Sequence, residues 1–294
     1  MTKGVSQWWN NWGCCCDAPG ATTCPCACYT FNNTLKDLTG RQSPFEKSHD
    51  DTLINYAEGR LDKALEIPWD GDGSPAGNLR TIKTPHSSCF SLAGGWSMWC
   101  WIYHGATVCP GLVPTYTQQL IRKGDGAALS GGDQPEWVLA TRAASPQCNV
   151  SSLTSIGFAV GNSGGIEAIQ TTPAVYDDVI AAGETADYLT PPDGIFPPHW
   201  TFYFMYFDPD AGTHGTMYIG VDGTKNWVTK ALTFAHQVNN GPVHIGAQGN
   251  RTNRTRIDNL GFCKQIGTVD EMKARAVYLY NSGLGRACPA WTDA

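Results

Sequence analysis

Apolar and polar positions alternate along this 294-residue chain in short runs broken by glycine, proline and Asx residues. In GGWSMWCWIYHG, an extended backbone places Trp96, Met98, Cys100 and Ile102 on one face and Trp99, Trp101 and Tyr103 on the other. Both faces are apolar, so this strand belongs inside a sandwich or beneath a covering segment. SIGFAVG predicts a second short strand ending at a glycine turn. HWTFYFMYFDPDAGTHGTMYIGVDGTKNW predicts an aromatic strand from Trp200 to Phe207, a polar turn over Asp208 to Gly215, and a strand from Thr216 to Val221 closed by Asp222-Gly223. PVHIGAQ and RIDNLGFCKQ add two more strands. One helix stands out, in GTVDEMKARAVYLYNSG: Thr268 and Glu271 have capping-box spacing, Met272, Ala276 and Leu279 share a side, and Asn281-Ser282-Gly283 ends it.

Composition supports a strand-rich fold. The chain has 33 Gly, 18 Pro, 11 Trp, 11 Tyr and 10 Phe against only 16% charged residues, which suits short strands and many turns. A net charge of −6 without a Lys/Arg-rich run argues against nucleic acid and against an acidic membrane surface as partners. No apolar run approaches the roughly 20 residues of a membrane span. Three parts are expected: a Trp/Cys-rich attachment segment (1–29), a strand-and-turn body (30–283) and a short tail (284–294). No repeat of a solenoid or propeller period is visible.

The order of the body elements resembles the laminin G-like, concanavalin A-like lectin–glucanase family. FNNTLKDLTGRQSPF resembles its opening strand and Asp-x-x-Gly turn, GRLDKALEI its following element, WSMWCWIY its central strand, and QQLIRKGD its Ile-x-x-Lys-Gly-Asp segment. HWTFYFMYFD with MYIGVDG resembles a later strand pair, and RIDNLGFCKQIGTVDEMKARAVYLYNSG the family's ending. The resemblance implies an all-β jelly-roll sandwich, two antiparallel sheets face to face, with one short C-terminal helix. Head, tail and stretches around 104–118, 126–150 and 161–198 lie outside it as inserts, where binding is expected because loops on a rigid sandwich carry it.

Some relatives are glycosidases, and a retaining site needs two carboxyl groups about 5–5.5 Å apart. None of the seven glutamates begins the Glu-x-Asp-x-x-Glu pattern of jelly-roll glucanases, and Asp208-Pro209-Asp210 falls in a turn. GNSGG (161–165) lacks the aspartate of a protease nucleophile loop and reads as a hairpin turn. GDGSPAG lacks dinucleotide-loop spacing. No enzyme is expected. Many relatives hold a structural calcium ion, and the resemblance points to Asp37 and Asp258; the plain alternative is that both bond neighbouring backbone groups. Glycan acceptor motifs occur at Asn32, Asn149, Asn250 and Asn253.

Twelve cysteines, an even number far above ordinary usage, carry the remaining signal. Cys14, Cys15, Cys16, Cys24, Cys26 and Cys28 crowd the head; Cys89, Cys100, Cys109, Cys148, Cys263 and Cys288 are scattered singly. Neither CCC nor C-x-C-x-C forms a zinc knuckle or an iron–sulfur spacing, so disulfides are expected ahead of a metal cage or reactive thiols. Trp8, Trp9 and Trp12 read either as a small satellite core or as an anchor in a neighbouring subunit. MTKGVSQWWNN carries no secretory signal pattern. An oxidised protein therefore implies a processed secreted form or a virion component oxidised after release, and Met1 favours the second. Two functional expectations follow. One is a non-catalytic structural protein of a virion or extracellular surface that assembles with other subunits; the other is a carbohydrate-binding adhesion module.

Overall fold

The doubly apolar stretch around Trp99 forms one strand of a two-sheet sandwich, and both of its faces are put to use. A computed structural model describes residues 25–47, 54–66, 82–104, 117–124, 135–142, 155–162, 165–171, 199–223, 225–246, 256–264 and 267–286. Their strands, in chain order, are β1 (Ala27–Tyr29), β2 (Glu46–Lys47), β3 (Asn55–Glu58), β4 (Lys63–Glu66), β5 (Ile82–Thr84), β6 (Trp96–His104), β7 (Thr117–Lys123), β8 (Trp137–Arg142), β9 (Ser155–Asn162), β10 (Gly165–Thr171), β11 (His199–Asp208), β12 (Thr216–Val221), β13 (Lys225–Ala231), β14 (Val243–Ile245) and β15 (Arg256–Cys263), followed by helix α1 (Val269–Tyr280). One sheet runs β13-β12-β11-β6-β15-β4-β3 with β1 added on β15; the other runs β10-β9-β8-β7-β14-β5-β2. All pairings are antiparallel, and the chain is the all-β sandwich with one short C-terminal helix that its sequence predicts.

The main core fills the space between the sheets. Trp96, Met98, Cys100 and Ile102 of β6 face it together with Tyr203, Met205 and Phe207 of β11 and Leu139, Phe158 and Val160 of the opposite sheet. Trp96 lies 4.9 Å from Trp137 and stacks on Phe158 at 5.8 Å. Burying each such ring contributes about 1.5–3 kcal/mol. The other face of β6 looks outward, and α1 covers it. Trp99, Trp101, Phe202, Phe204 and Tyr206 there meet Met272, Ala276 and Leu279 of the helix. Gly261 lets β15 pass beneath Trp99, since a Cβ at this position would fall 2.1 Å from the indole ring. The capping box forms as expected: Glu271 N–H donates to Thr268 Oγ1 (3.3 Å) and Thr268 N–H to Glu271 Oε2 (2.8 Å). Asn281, at φ +49°, ends the helix.

Two local expectations need correction. The opening strand is β1, which pairs Ala27 to Tyr29 with Leu260 to Phe262, so the end of the head belongs to the larger sheet. FNNTLKDLTGRQSPF is instead a loop, folded around Asp37, whose carboxylate competes successfully for the backbone N–H groups a strand would have paired. Likewise, the stretches 126–150 and 161–198 contain β8 and β10. β8 is apolar on both faces, Trp137 and Leu139 in the core and Val138 and Ala140 outward, so it lacks the alternation that marks a half-exposed strand.

Candidate functional site

Antiparallel register sets one residue of each strand beside its neighbours, and the outer face of the larger sheet can be read as rows. In one row Phe202, Trp101 and Asp258 stand side by side. Tyr280 at the end of α1 closes over it, 5.8 Å from Trp101 and 6.1 Å from Phe202. The next outward row is Trp200, Tyr103, Arg256 and Glu66, one each from β11, β6, β15 and β4. The helix has ended before this row, and all four side chains remain partly exposed. The Trp200 and Tyr103 rings lie 5.3 Å apart at 51°. The Arg256 guanidinium sits 4.7 Å over Tyr103, donates from Nε to Glu66 Oε2 at 3.2 Å, and donates from Nη1 to the Glu58 carbonyl at 3.1 Å. Two aromatic faces and an internally neutralised ion pair are thus held side by side.

Strand direction places this row at one particular end of the sandwich. β4, β6, β8, β10 and β14 finish there, and β5, β7, β9, β11 and β15 begin there. The connections 67–81, 105–116, 143–154, 172–198 and 246–255 therefore all depart from that end.

The opposite end is braced by a buried polar network. Glu136 and Lys123 form an ion pair at 2.7 Å with both side chains at 0% exposure. Glu136 also accepts from Ser91 Oγ (2.9 Å), Leu92 N–H (2.6 Å) and Asn239 N–H (3.1 Å), while Lys123 donates to the Asn239 carbonyl. Lys264 donates to the Ser91 and Ala93 carbonyls, and burial pulls its ammonium down to about 8. The network ties the loop before β6, the β7–β8 connection and the loop before β14 to one carboxylate. Ser91 is buried and donates to Glu136.

The sequence-predicted residues separate rather than converge. Asp37 Oδ1 accepts N–H bonds from Cys28 (2.7 Å) and Thr39 (3.1 Å); its Oδ2 accepts from Thr39 Oγ1 (2.5 Å), Arg41 N–H (3.0 Å) and Gln42 N–H (2.9 Å). Asp258 lies in β15 under the Arg60–Leu61 turn, with Oδ2 accepting from Leu61 N–H at 2.9 Å. Burial pushes its carboxyl up to about 6, against the lowering effect of backbone hydrogen bonds from Leu61, Arg60 and Asn259. The two aspartates share no hydrogen-bond partner, and among the described residues no three His, Cys, Asp or Glu side chains gather as a metal cluster.

Cys26 and Cys89 form a disulfide across 63 residues of chain, fastening β1 to the turn before β6, and Cys28 is disulfide-bonded as well. Cys100 and Cys263, expected in disulfides, are instead buried thiols. Cys100 stands opposite Tyr203 of β11, and Cys263 opposite Ser97 of β6. Asn32 is exposed and its Oδ1 accepts from Lys63 N–H at 3.0 Å. Trp8, Trp9, Trp12, Asn149, Asn250, Asn253, Cys14, Cys15, Cys16, Cys24, Cys109, Cys148 and Cys288 lie outside the described residues. β9 and β10 pair with Asn162 opposite Gly165, and Asp208 accepts from Asp210 N–H in the turn before β12. Sequence reasoning grouped Tyr103 with Trp99 and Trp101 but missed Arg256, Glu66 and the Lys123–Glu136 pair. Their partners are distant in sequence, and only register joins them.

No helix among the described residues is long and apolar enough to cross a membrane. No protein-family model matches the chain, and no curated protein matches it. Solved structures do share its fold. The binding domain of Paraclostridial Mosquitocidal Protein 1 superposes with a TM-score of 0.57 at 14% identity, over 89% of this chain and 52% of that one. The binding domain of botulinum neurotoxin DC, solved with SialylT and with rat synaptotagmin II, has a TM-score of 0.54 at 13% identity, over 89% of this chain and 51% of that one. Domain 4 of an extracellular arabinanase from Geobacillus stearothermophilus, in complex with arabinotriose, has a TM-score of 0.51 at 15% identity, over 90% of this chain and 100% of that domain. This chain spans about half the length of the toxin binding domains it matches.

Proposed function

We propose that this chain is a non-catalytic binding module of an extracellular or virion surface, which takes a glycan or glycosylated receptor at the end of the jelly roll where the long connections depart. The observation that carries this reading is the row beyond α1: Trp200 and Tyr103 stay partly exposed, whereas Trp99, Trp101, Phe202, Phe204 and Tyr206 of the same face are buried. Aromatic surface left uncovered beside hydrogen-bonding side chains is what a recognition site requires. Support also comes from the similar structures, which include toxin binding domains and an arabinanase domain in complex with arabinotriose. The Cys26–Cys89 disulfide supports an oxidising location.

The test is a glycan array combined with cell-surface binding, using the intact oxidised chain. Retention that falls after glycosidase treatment of the cells is the expected result; absence of retention on every glycan and cell type would sink the proposal. Release of reducing sugar from β-glucans would overturn its non-catalytic part. A compatible second reading, a subunit of a particle or surface layer, is favoured by the disulfide that fastens β1 to the body, since segment 1–24 then leaves from a rigid anchor. Light scattering under oxidising conditions checks it: a concentration-independent monomer counts against subunit assembly.

A further inference from the structure

We infer that Trp200, Tyr103, Arg256, Glu66 and Asn55 form a binding strip for an uncharged linear oligosaccharide lying across the strands, a ligand class that rests on the binding-module reading above. Asn55 extends the row by one strand: it opens β3, pairs with Glu66 and is exposed. The five side chains come from five adjacent strands, β11, β6, β15, β4 and β3. At about 4.8 Å between strands the row measures about 19 Å, room for roughly three or four sugar rings end to end.

The chemistry changes along the strip. At one end the Trp200 and Tyr103 rings offer apolar faces on which the C–H faces of a sugar ring stack by dispersion and release of water. Beyond them Arg256, Glu66 and Asn55 present donors and acceptors of both kinds, one set per strand, to hydroxyl groups. The charge balance selects against ionic ligands. Glu66 and Arg256 neutralise each other at 3.2 Å, and Arg256 is further engaged by the Glu58 carbonyl and the Tyr103 ring. A carboxylate or phosphate would have to compete with Glu66 for that guanidinium, whereas a hydroxyl can join the existing pair without displacing either partner. Those contacts also hold the central side chains in place before any ligand arrives, which lowers the ordering cost of binding.

Calorimetric titration of the intact oxidised chain with neutral arabino-, xylo- and cello-oligosaccharides of two to six rings tests the strip, with sialyllactose as a charged control. Affinity should rise with length to about four rings and then level off, as the span requires. Trp200→Ala should weaken binding about tenfold or more, as for an aromatic anchor. Asn55→Ala, at an exposed position where folding is not at stake, should weaken only the longer ligands. A flat length series, sialyllactose binding tighter than the neutral sugars, or unchanged affinity in both variants would overturn the strip while leaving the binding module standing. Absence of glycan or receptor binding in the array experiment would remove the module itself.

Discussion

Lys123→Met removes one charge of the ion pair at 0% exposure and keeps the side chain's length and apolar stem. Glu136 would retain three hydrogen-bond donors, Ser91 Oγ, Leu92 N–H and Asn239 N–H, but lose its counter-charge, and the Asn239 carbonyl would lose its ammonium donor. Breaking a buried pair from one side costs about 3–5 kcal/mol. The three remaining donors place the expected loss near the lower end, about 3 kcal/mol, which for a chain of this length corresponds to a fall in Tm of roughly 5 °C. Urea denaturation with the disulfides intact measures it. Adding Glu136→Gln, which removes the stranded charge but keeps an acceptor for the loops, should recover part of the loss. The double variant is expected to be more stable than the sum of the singles by about 1.5 kcal/mol or more. Additivity within about 0.5 kcal/mol would refute the claim that the two charges act as one unit. Oligosaccharide affinity of the folded variant should not change, since the pair and the Trp200–Tyr103 row stand at opposite ends of the strands.

Three further outcomes follow from single residues. Asp37→Ala strips the acceptor from the buried Cys28 N–H and from the N–H groups of Thr39, Arg41 and Gln42; it should cost about 2–3 kcal/mol by thermal melt, by the same amount with calcium and with chelator, and a loss confined to calcium-containing buffer would contradict the hydrogen-bond role. Asp258 holds its proton more tightly when folded, up to about 6, than the ordinary carboxyl value of 3.8. Its contribution is therefore fully present below about pH 4 and is lost as pH rises through 6, at up to about 1.4 kcal/mol per pH unit. Asp258→Asn should flatten this part of the stability–pH curve, and an unchanged slope would count against the assignment. Cys100, whose thiol burial raises well above the ordinary range, should resist alkylation until the chain is unfolded, while non-reducing peptide mapping recovers Cys26 linked to Cys89; Cys100 found in a disulfide would show the register to be wrong.

Much of the frame is legible from local chemistry. The two-faced apolar pattern of β6, the Asp222-Gly223 turn and the Thr268–Glu271 capping box each act within a few residues, and each forms where the pattern places it. The opening strand was not legible, because Asp37 satisfies backbone groups that local propensity would assign to a ladder. β8 was not legible either: a strand buried on both faces carries no alternation. The abundance of cysteine pointed correctly to a disulfide but not to which residues join, since pairing depends on Cα separations that spacing along the chain does not determine.

What the sequence determined by itself is part of the strand set, β6, β11, β12 and β15 among it, the capped C-terminal helix and the apolar character of both faces of β6, because side-chain period and capping are properties of neighbouring residues. What only the tertiary structure decided is which part of that second face is hidden. α1 spans as far as Trp101 and Phe202 and stops, leaving Tyr103 and Trp200 partly exposed, and register then brings Arg256, Glu66 and Asn55 alongside. A helix of fixed length laid across a sheet covers a fixed number of rows, and the row it fails to reach is set by where the helix docks rather than by any residue within the row.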